Sequence, residues 1–369
     1  MTSARAERPP PVGPTAAPLN RPSSIAPVAM SELRQDSFTG RWTVIAVGRS
    51  ARPNDHAPRA PEKAQDPDCP FCEGREELTP PEVAAVRPGG GRANGPGWTV
   101  RTIPNKFPTL APAGAGVPGA GGAPGPFATR PGRGIHEVVI EGPQHAPGLA
   151  GLGADQQRTV FRVLRDRLRV LEAQPGIASV VLFENWGPES GGTLWHPHAQ
   201  LVATELVPPR LAEEAERFGR GAENPPGGCV LESVTDAERS ARVRVLADLP
   251  TFTVVTPFGS DFPYEMRFVP RRHAPSFSAA GDAETDDLAR LLPAALRALD
   301  AVAPGASYNW VVHGLPPTAP GADRFHWHVE ILPRIVRADG FELGSGVPVN
   351  PVPPELAAER LGALLDTAL

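Results

Sequence analysis

Lysine is almost absent from this 369-residue chain: Lys63 and Lys106 are the only two, and every other basic residue among the 36 lysines and arginines is Arg. A phosphate-binding cation here is therefore usually a guanidinium, which can grip an oxyanion with two parallel hydrogen bonds. An excess of positive charge is also missing. The formal net charge is −5, which excludes the bulk basic field that nucleic-acid binding draws on. No run approaches the roughly 18 apolar residues of a membrane span. Residues 1–30 lack the continuous apolar stretch of a secretory signal, and their Pro, Ala and Arg content predicts a disordered tail, with Met30 as an alternative start. Cysteine is scarce: Cys69 and Cys72 form a pair and Cys229 stands alone. An odd count without a signal argues against a disulfide scaffold and points to a reducing cytoplasm. What is present is 40% apolar residues, enough for a sizeable core.

The chain repeats itself. "GIHEVVIEGPQH" ends at His145 and "FPYEMRFVPRRH" ends at His273. Each predicts a strand leading to a proline and a histidine. Each is followed by a helical stripe: Val160, Leu164, Leu168 and Leu171 in the first, and Leu288, Leu292, Leu296 and Leu299 in the second, where Pro293 predicts a bend. A strand follows each helix ("IASVVLFENWG", "SYNWVVHGL"), and a histidine-bearing strand closes each unit ("WHPHAQLVATELVP", "FHWHVEILPRIV"). From His145 to His198 is 53 residues, and from His273 to His328 is 55. Two copies of a β-turn-α-β-β unit are expected, joined near residues 206–245. Upstream, "GRWTVIAVG" and "GWTVRTIPNKFP" read as strands, and the Gly/Ala/Pro-rich residues 111–134 as a surface insertion.

The densest chemistry lies in "GGTLWHPHAQL". Strand side chains alternate, so His196, His198 and Gln200 share a face, and Pro197, which cannot donate to a ladder, marks an edge or a strand start. A neutral imidazole is nucleophilic near pH 7. Attack by His198 on phosphorus would split a nucleotidyl transfer into two easier steps. Gln200 can donate N–H to a non-bridging oxygen where charge develops. Glycines 191 and 192 allow close approach of a ligand. "CPFC" (69–72) is half of a tetrahedral zinc site, with a redox pair as the rival reading. His145 and His196 are the best-placed completing ligands, and four protein ligands make such a site structural. Cys229 is expected to take no part in metal binding.

These residues resemble the galactose-1-phosphate uridylyltransferase family, a two-repeat branch of the histidine triad superfamily. "FENWGPESGGTLWHPHAQ" is similar to the family's Glu-Asn…His-Pro-His-x-Gln block, "DSFTGRWTVIAVGRSARP" to its opening strand, and "IPNKFP" to its uridine loop. "FELGSGVPVNP" is closer to the nucleotide-sugar phosphorylase branch. The resemblance implies an α+β fold: two tandem histidine-triad-like repeats forming a half-barrel of mostly antiparallel strands with packed helices. It divides the chain into the tail 1–30, a repeat over 31–205 and a repeat over 206–369. It implies a nucleotidyl-histidine on His198, phosphoryl contact from Gln200, and zinc on Cys69, Cys72, His145 and His196. Arg49, Arg52, Asn105, Phe107, Asn185 and Thr193 stand at its nucleotide-contacting positions, Thr193 replacing a serine. Glu342 stands where the neighbouring subunit supplies hexose contacts, so a homodimer is implied. Some members hold a second metal, iron, on a glutamate and three histidines. His273 and His328 match two of those positions, Glu214 matches the glutamate, and Glu330 replaces the third histidine, so that ligand set is incomplete here. The activity implied is UDP-glucose–hexose-1-phosphate uridylyl transfer. The alternatives are an ADP-glucose or dinucleoside polyphosphate phosphorylase using the same histidine, and a non-catalytic zinc-dependent nucleotide-binding protein.

Overall fold

A computed structural model describes residues 31–51, 66, 68–112, 127, 129–146, 148–221 and 228–365. The tail 1–30, Arg52 and most of the Gly/Ala/Pro-rich insertion lie outside the described residues. In chain order the strands are β1 (Glu32–Gln35), β2 (Trp42–Ile45), β3 (Ala84–Val86), β4 (Val100–Pro104), β5 (Gly134–Ile140), β6 (Ser179–Trp186), β7 (His198–Thr204), β8 (Val245–Asp248), β9 (Phe252–Val255), β10 (Met266–Pro270), β11 (Tyr308–His313), β12 (His328–Pro333) and β13 (Val349–Asn350). The helices are α1 (Ala154–Glu172), α2 (Pro209–Gly221), α3 (Val230–Ala241), α4 (Asp282–Val302), α5 (Gly340–Ser345) and α6 (Pro354–Leu365).

Ten strands form one antiparallel sheet in the order β3-β4-β5-β7-β6-β11-β12-β10-β9-β8. Outward from the β6–β11 junction, β7, β5, β4 and β3 on one side answer β12, β10, β9 and β8 on the other. "GIHEVVI" and "MRFVP" therefore occupy equivalent places, as the repeat requires. The two units do not build separate sheets. They share one, stitched by pairs such as Trp310↔Glu184 and Val311↔Phe183. The helical stripes are buried as the sequence predicts: Val160, Leu164, Leu288 and Leu292 have no exposed surface. They lie in the main core with Leu182, Leu201, Trp310 and Ile331 of the sheet. Pro293 lies inside α4 and is buried. The short strands β1, β2 and β13 make a separate three-stranded sheet. No described helix is long and apolar enough to cross a membrane.

The units differ in a second core. Phe38, Leu211, Phe218, Leu231 and Phe325 cluster with Val269 of β10. The Phe38 ring meets the His328 ring edge-on at 5.1 Å. Residues near β1, together with α2 and α3, thus cover the β12 histidine. Gln200 of β7 is half-exposed, whereas its counterpart Glu330 is completely buried.

The core also holds two carboxyl groups. Glu141 and Glu184 have no exposed surface, and neither oxygen of Glu141 has a hydrogen-bond partner among the described residues. Glu184 accepts a hydrogen bond from the Trp310 indole. Burial pushes Glu184 up to about 8, and burial together with Glu184 holds Glu141 well above the usual carboxylate range. Both stay protonated in the folded protein at neutral pH, whereas in the unfolded chain they ionise near about 4.3. Their contribution is therefore full below that value and is lost as pH rises through the folded values. Glu184→Gln should flatten this loss, by more than about 1 kcal/mol between about pH 5 and about pH 9. Denaturant midpoints of both proteins across that range measure it; parallel curves would contradict the assignment.

Candidate active site

Strand β7 begins at His198, directly after Pro197, so the proline marks a strand start and not an edge: β7 lies between β5 and β6. The His198 Nδ1–H donates to the His196 carbonyl at 2.7 Å, which leaves Nε2 as the free lone pair. Burial lowers the His198 pKa, and the bond to His196 opposes this only in part, so the ring is neutral near pH 7. The edge of Phe71 packs against His198 with centroids 5.2 Å apart. The turn before the strand needs its glycines for a reason other than ligand access. A Cβ on Gly192 would lie 2.8 Å from the Gly187 carbonyl oxygen and 2.9 Å from that of Asn185. Close backbone packing therefore excludes a side chain there.

His196 faces the cysteine pair. Its Nε2–H donates to the Gly142 carbonyl at 2.8 Å, so Nδ1 is the lone-pair nitrogen. That Nδ1 lies 3.6 Å from Cys69 Sγ and 3.8 Å from Cys72 Sγ, and His145 Nδ1 lies 3.1 Å from Cys72 Sγ. Zinc bonds of about 2.3 Å to sulfur and about 2.0 Å to nitrogen set tetrahedral S···N edges of roughly 3.5 Å. The four donors fit that ion, and the carbonyl behind His196 is the outer-shell partner such histidines use.

The second unit carries a copy of this arrangement that the sequence reading missed. Cys229, Glu232, His273 and His326 form a ligand group. His326 Nε2–H donates to the Pro270 carbonyl at 3.0 Å, and its Nδ1 lies 3.5 Å from Cys229 Sγ and 3.3 Å from a Glu232 oxygen. Cys229, expected to take no part in metal binding, thus lies among residues whose ligand atoms are close enough to share an ion. Cys229-x-x-Glu232 repeats the spacing of Cys69-x-x-Cys72, and His273 repeats His145.

His273 and His328, expected together in one second-metal set, fall into different groups. His328 lies with Glu214 and His313. His313 Nδ1 lies 3.0 Å from both Glu214 oxygens, and its Nε2 lies 3.4 Å from Glu330. Burial alone would lower the His313 pKa, but in the metal-free protein Glu214 and Glu330 hold it up at about 9, while His328 Nε2 is buried with no hydrogen-bond partner among the described residues. Glu330 already receives Arg267 at 3.1 Å and Arg210 at 2.6 Å. Two guanidiniums and an imidazolium supply the positive charge.

The remaining sequence-predicted residues divide. Gln200 Oε1 lies 2.9 Å from His136 Nε2 and 3.4 Å from Asn105 Nδ2, so Gln200 and Asn105 are brought together, with His136 as an unforeseen third member. Phe107, next in that loop, is 82% exposed, as a surface awaiting a planar ligand would be. Asn185 Oδ1 accepts from Asn309 at 2.7 Å. Thr193 is exposed in the turn before His196. Arg49 pairs with Asp339, the N-cap of α5, at 3.1 Å, and Glu342 closes the same cap through the Asp339 N–H. Arg49 and Glu342 thus both contact Asp339 at the start of α5.

Residues 23–208 match the profile of the galactose-1-phosphate uridyl transferase N-terminal domain. An ADP-glucose phosphorylase of Arabidopsis thaliana is 29% identical over 332 residues, covering 89% of this chain and 91% of its own. A galactose-1-phosphate uridylyltransferase of Thermotoga maritima is 27% identical over 340 residues, covering 90% and 98%. The crystal structure of an ADP-glucose phosphorylase from A. thaliana with bound ADP-glucose superposes with a TM-score of 0.74 at 26% identity, over 90% of this chain and 99% of that one. With a lone-pair imidazole and a carboxamide side by side on β7, and a profile match across half its length, the chain belongs to the galactose-1-phosphate uridyl transferase family and is a nucleotidyltransferase.

Proposed function

We propose that the protein transfers a uridylyl group from UDP-glucose to a hexose 1-phosphate by a ping-pong route through His198. The observation that carries this reading is the His198 ring, locked through Nδ1 on the His196 carbonyl so that Nε2 is free to attack phosphorus. Attack forms the Nε2–P bond and breaks the bond from phosphorus to the bridging oxygen, releasing glucose 1-phosphate. The acceptor's phosphate oxygen then displaces His198. Gln200 donates N–H to the phosphoryl oxygens as charge develops, and Gln200→Ala should slow adduct formation roughly 10²–10³-fold, as loss of one oxyanion donor does. Asn105, Phe107, Asn185 and Thr193 contact the nucleotide and its phosphates. Arg49 and Arg52 join them on the nucleotide, and Glu342 serves the hexose end, acting across a homodimer.

The similarity to ADP-glucose phosphorylase supports a second reading, in which inorganic phosphate is the acceptor and adenine the base. One experiment separates them. Enzyme is given UDP-glucose or ADP-glucose, each with galactose 1-phosphate or phosphate, and products are identified. UDP-galactose as the dominant product supports the first reading; ADP formed from ADP-glucose and phosphate replaces it with the second.

Zinc held by Cys69, Cys72, His145 and His196 is structural in this proposal, because four protein ligands leave no open position. A second zinc belongs to Cys229, Glu232, His273 and His326. That set has one thiolate where the first has two, so chelator should strip about one equivalent well before the other. Simultaneous loss, or about one zinc per chain before treatment, would count against the second site.

A further inference from the structure

We propose that His136 is a positioning residue that fixes which end of the Gln200 carboxamide faces the reacting phosphate; this rests on the nucleotidyl-transfer reading of His198. A carboxamide is nearly symmetric in shape but not in chemistry. Its NH2 end stabilises a phosphoryl oxygen, and its oxygen end repels one. Nothing on Gln200 itself selects the useful orientation.

The selection comes from two backbone N–H groups of the loop after β4. An amide N–H can only donate. That of Thr109 points at His136 Nδ1 at 3.1 Å, so Nδ1 holds the lone pair and the ring proton of the neutral imidazole sits on Nε2. That Nε2–H therefore donates to Gln200 Oε1 at 2.9 Å. The N–H of Phe107 points at Asn105 Oδ1 at 2.8 Å, so the Asn105 NH2 faces both His136 Nε2 at 3.2 Å and the same Gln200 oxygen at 3.4 Å. The short bond from His136 thus holds Gln200 Oε1, with the Asn105 NH2 farther off on the same side. The Gln200 NH2 is the end left for substrate.

Strand register makes the contact possible. Val138 pairs with Gln200 and His136 with Val202 on the antiparallel β5–β7 ladder. His136 and Gln200 are therefore diagonal neighbours on one face, within reach of long side chains. The loop that anchors both donors also carries Phe107, so the segment assigned to the nucleotide base also fixes the transfer group. His136 touches no reacting atom in this account; it acts through Gln200.

A double-mutant cycle on single-turnover labelling of His198 by UDP-glucose and by ADP-glucose tests this. His136→Phe keeps an aromatic ring, somewhat larger, and removes both the Nε2 donor and the Nδ1 acceptor of the Thr109 N–H. It should slow labelling roughly 10- to 10²-fold, the scale of a small misplacement of a catalytic group. In a Gln200→Ala background the same change should have almost no further effect, because the residue acts only through that side chain. His136→Gln, which keeps an N–H donor near Nε2, should restore most of the rate, and it carries the cycle if His136→Phe does not fold. Losses that multiply in the double mutant would overturn the proposal. If wild-type enzyme is labelled by neither nucleotide sugar, the transfer reading fails by itself. The Gln200 side-chain amide resonances then still decide the positioning: they should shift in His136→Phe, and unchanged resonances would refute it.

Discussion

Enzyme incubated with a nucleotide sugar and no acceptor should carry one nucleotidyl group on the peptide containing His198, and His198→Ala should carry none. The expectation follows from the geometry of a single ring. The bond from Nδ1–H to the His196 carbonyl sets the tautomer, burial keeps the ring uncharged, and Nε2 is left without a protein partner to attack phosphorus. In the proposed two-step route both half-reactions pass through that nitrogen, so His198→Ala should lose each of them, by more than the roughly 10²–10³-fold set for Gln200→Ala. Zinc content and thermal unfolding should be almost unchanged, because His198 is not in the Cys69–Cys72–His145–His196 group. Mass spectrometry of the labelled peptide is the measurement. Turnover without an adduct would replace the two-step route by direct transfer in a ternary complex.

Cys69→Ala should fail earlier, at folding. Structural zinc contributes roughly 10–16 kcal/mol of apparent binding free energy at neutral pH, against about 5–15 kcal/mol of stability for a typical domain. Removing a ligand can therefore consume the whole margin. Cys69 is almost completely buried, and burial pushes its thiol up to about 11, so without a metal it is an inert apolar group. The expected result is insoluble or protease-sensitive protein in Cys69→Ala and a milder loss in Cys229→Ala, whose ligand group includes the half-exposed Glu232 at 43%. Elemental analysis and limited proteolysis of both variants measure this. A well-folded, metal-free Cys69→Ala protein would remove zinc from the account.

How much of this was legible in the sequence depended on the distance over which each feature is encoded. Of the helices, α1 and α4 were legible, because residues such as Leu288, Leu292, Leu296 and Leu299 repeat with a helical period that any packed face enforces; α2, α3, α5 and α6 were not read. The "HPHAQ" block was legible because its chemistry is written at alternate positions of one strand. The β1, β3, β8 and β13 strands were not: they run two to four residues, and "ELRQ" has no apolar alternation. Glu232 was missed because a lone cysteine and a glutamate carry no metal signature. Laying the repeat over Cys69-x-x-Cys72 would have found them. His136 was beyond reach for a deeper reason. Its role depends on the β5–β7 register and on where two loop amides point, neither of which leaves a pattern in the chain. His273 and His328 fall apart because His273 lies beyond the end of β10 and packs on His326, whereas His328 in β12 stacks on His313.

The β6–β11 junction has a consequence for how such a chain could arise. Every strand order on one side of it is mirrored on the other, and the pairing across it is antiparallel. A fragment ending near Thr204 would expose the β6 edge, a row of unpaired backbone groups that templates association. The partner of matching shape is a second copy of the same fragment, related by a two-fold axis through the junction. The full chain is in this sense a dimer made covalent. The two halves need not carry identical sites, and in the second the position equivalent to Gln200 is Glu330, paired with Arg267 and His313.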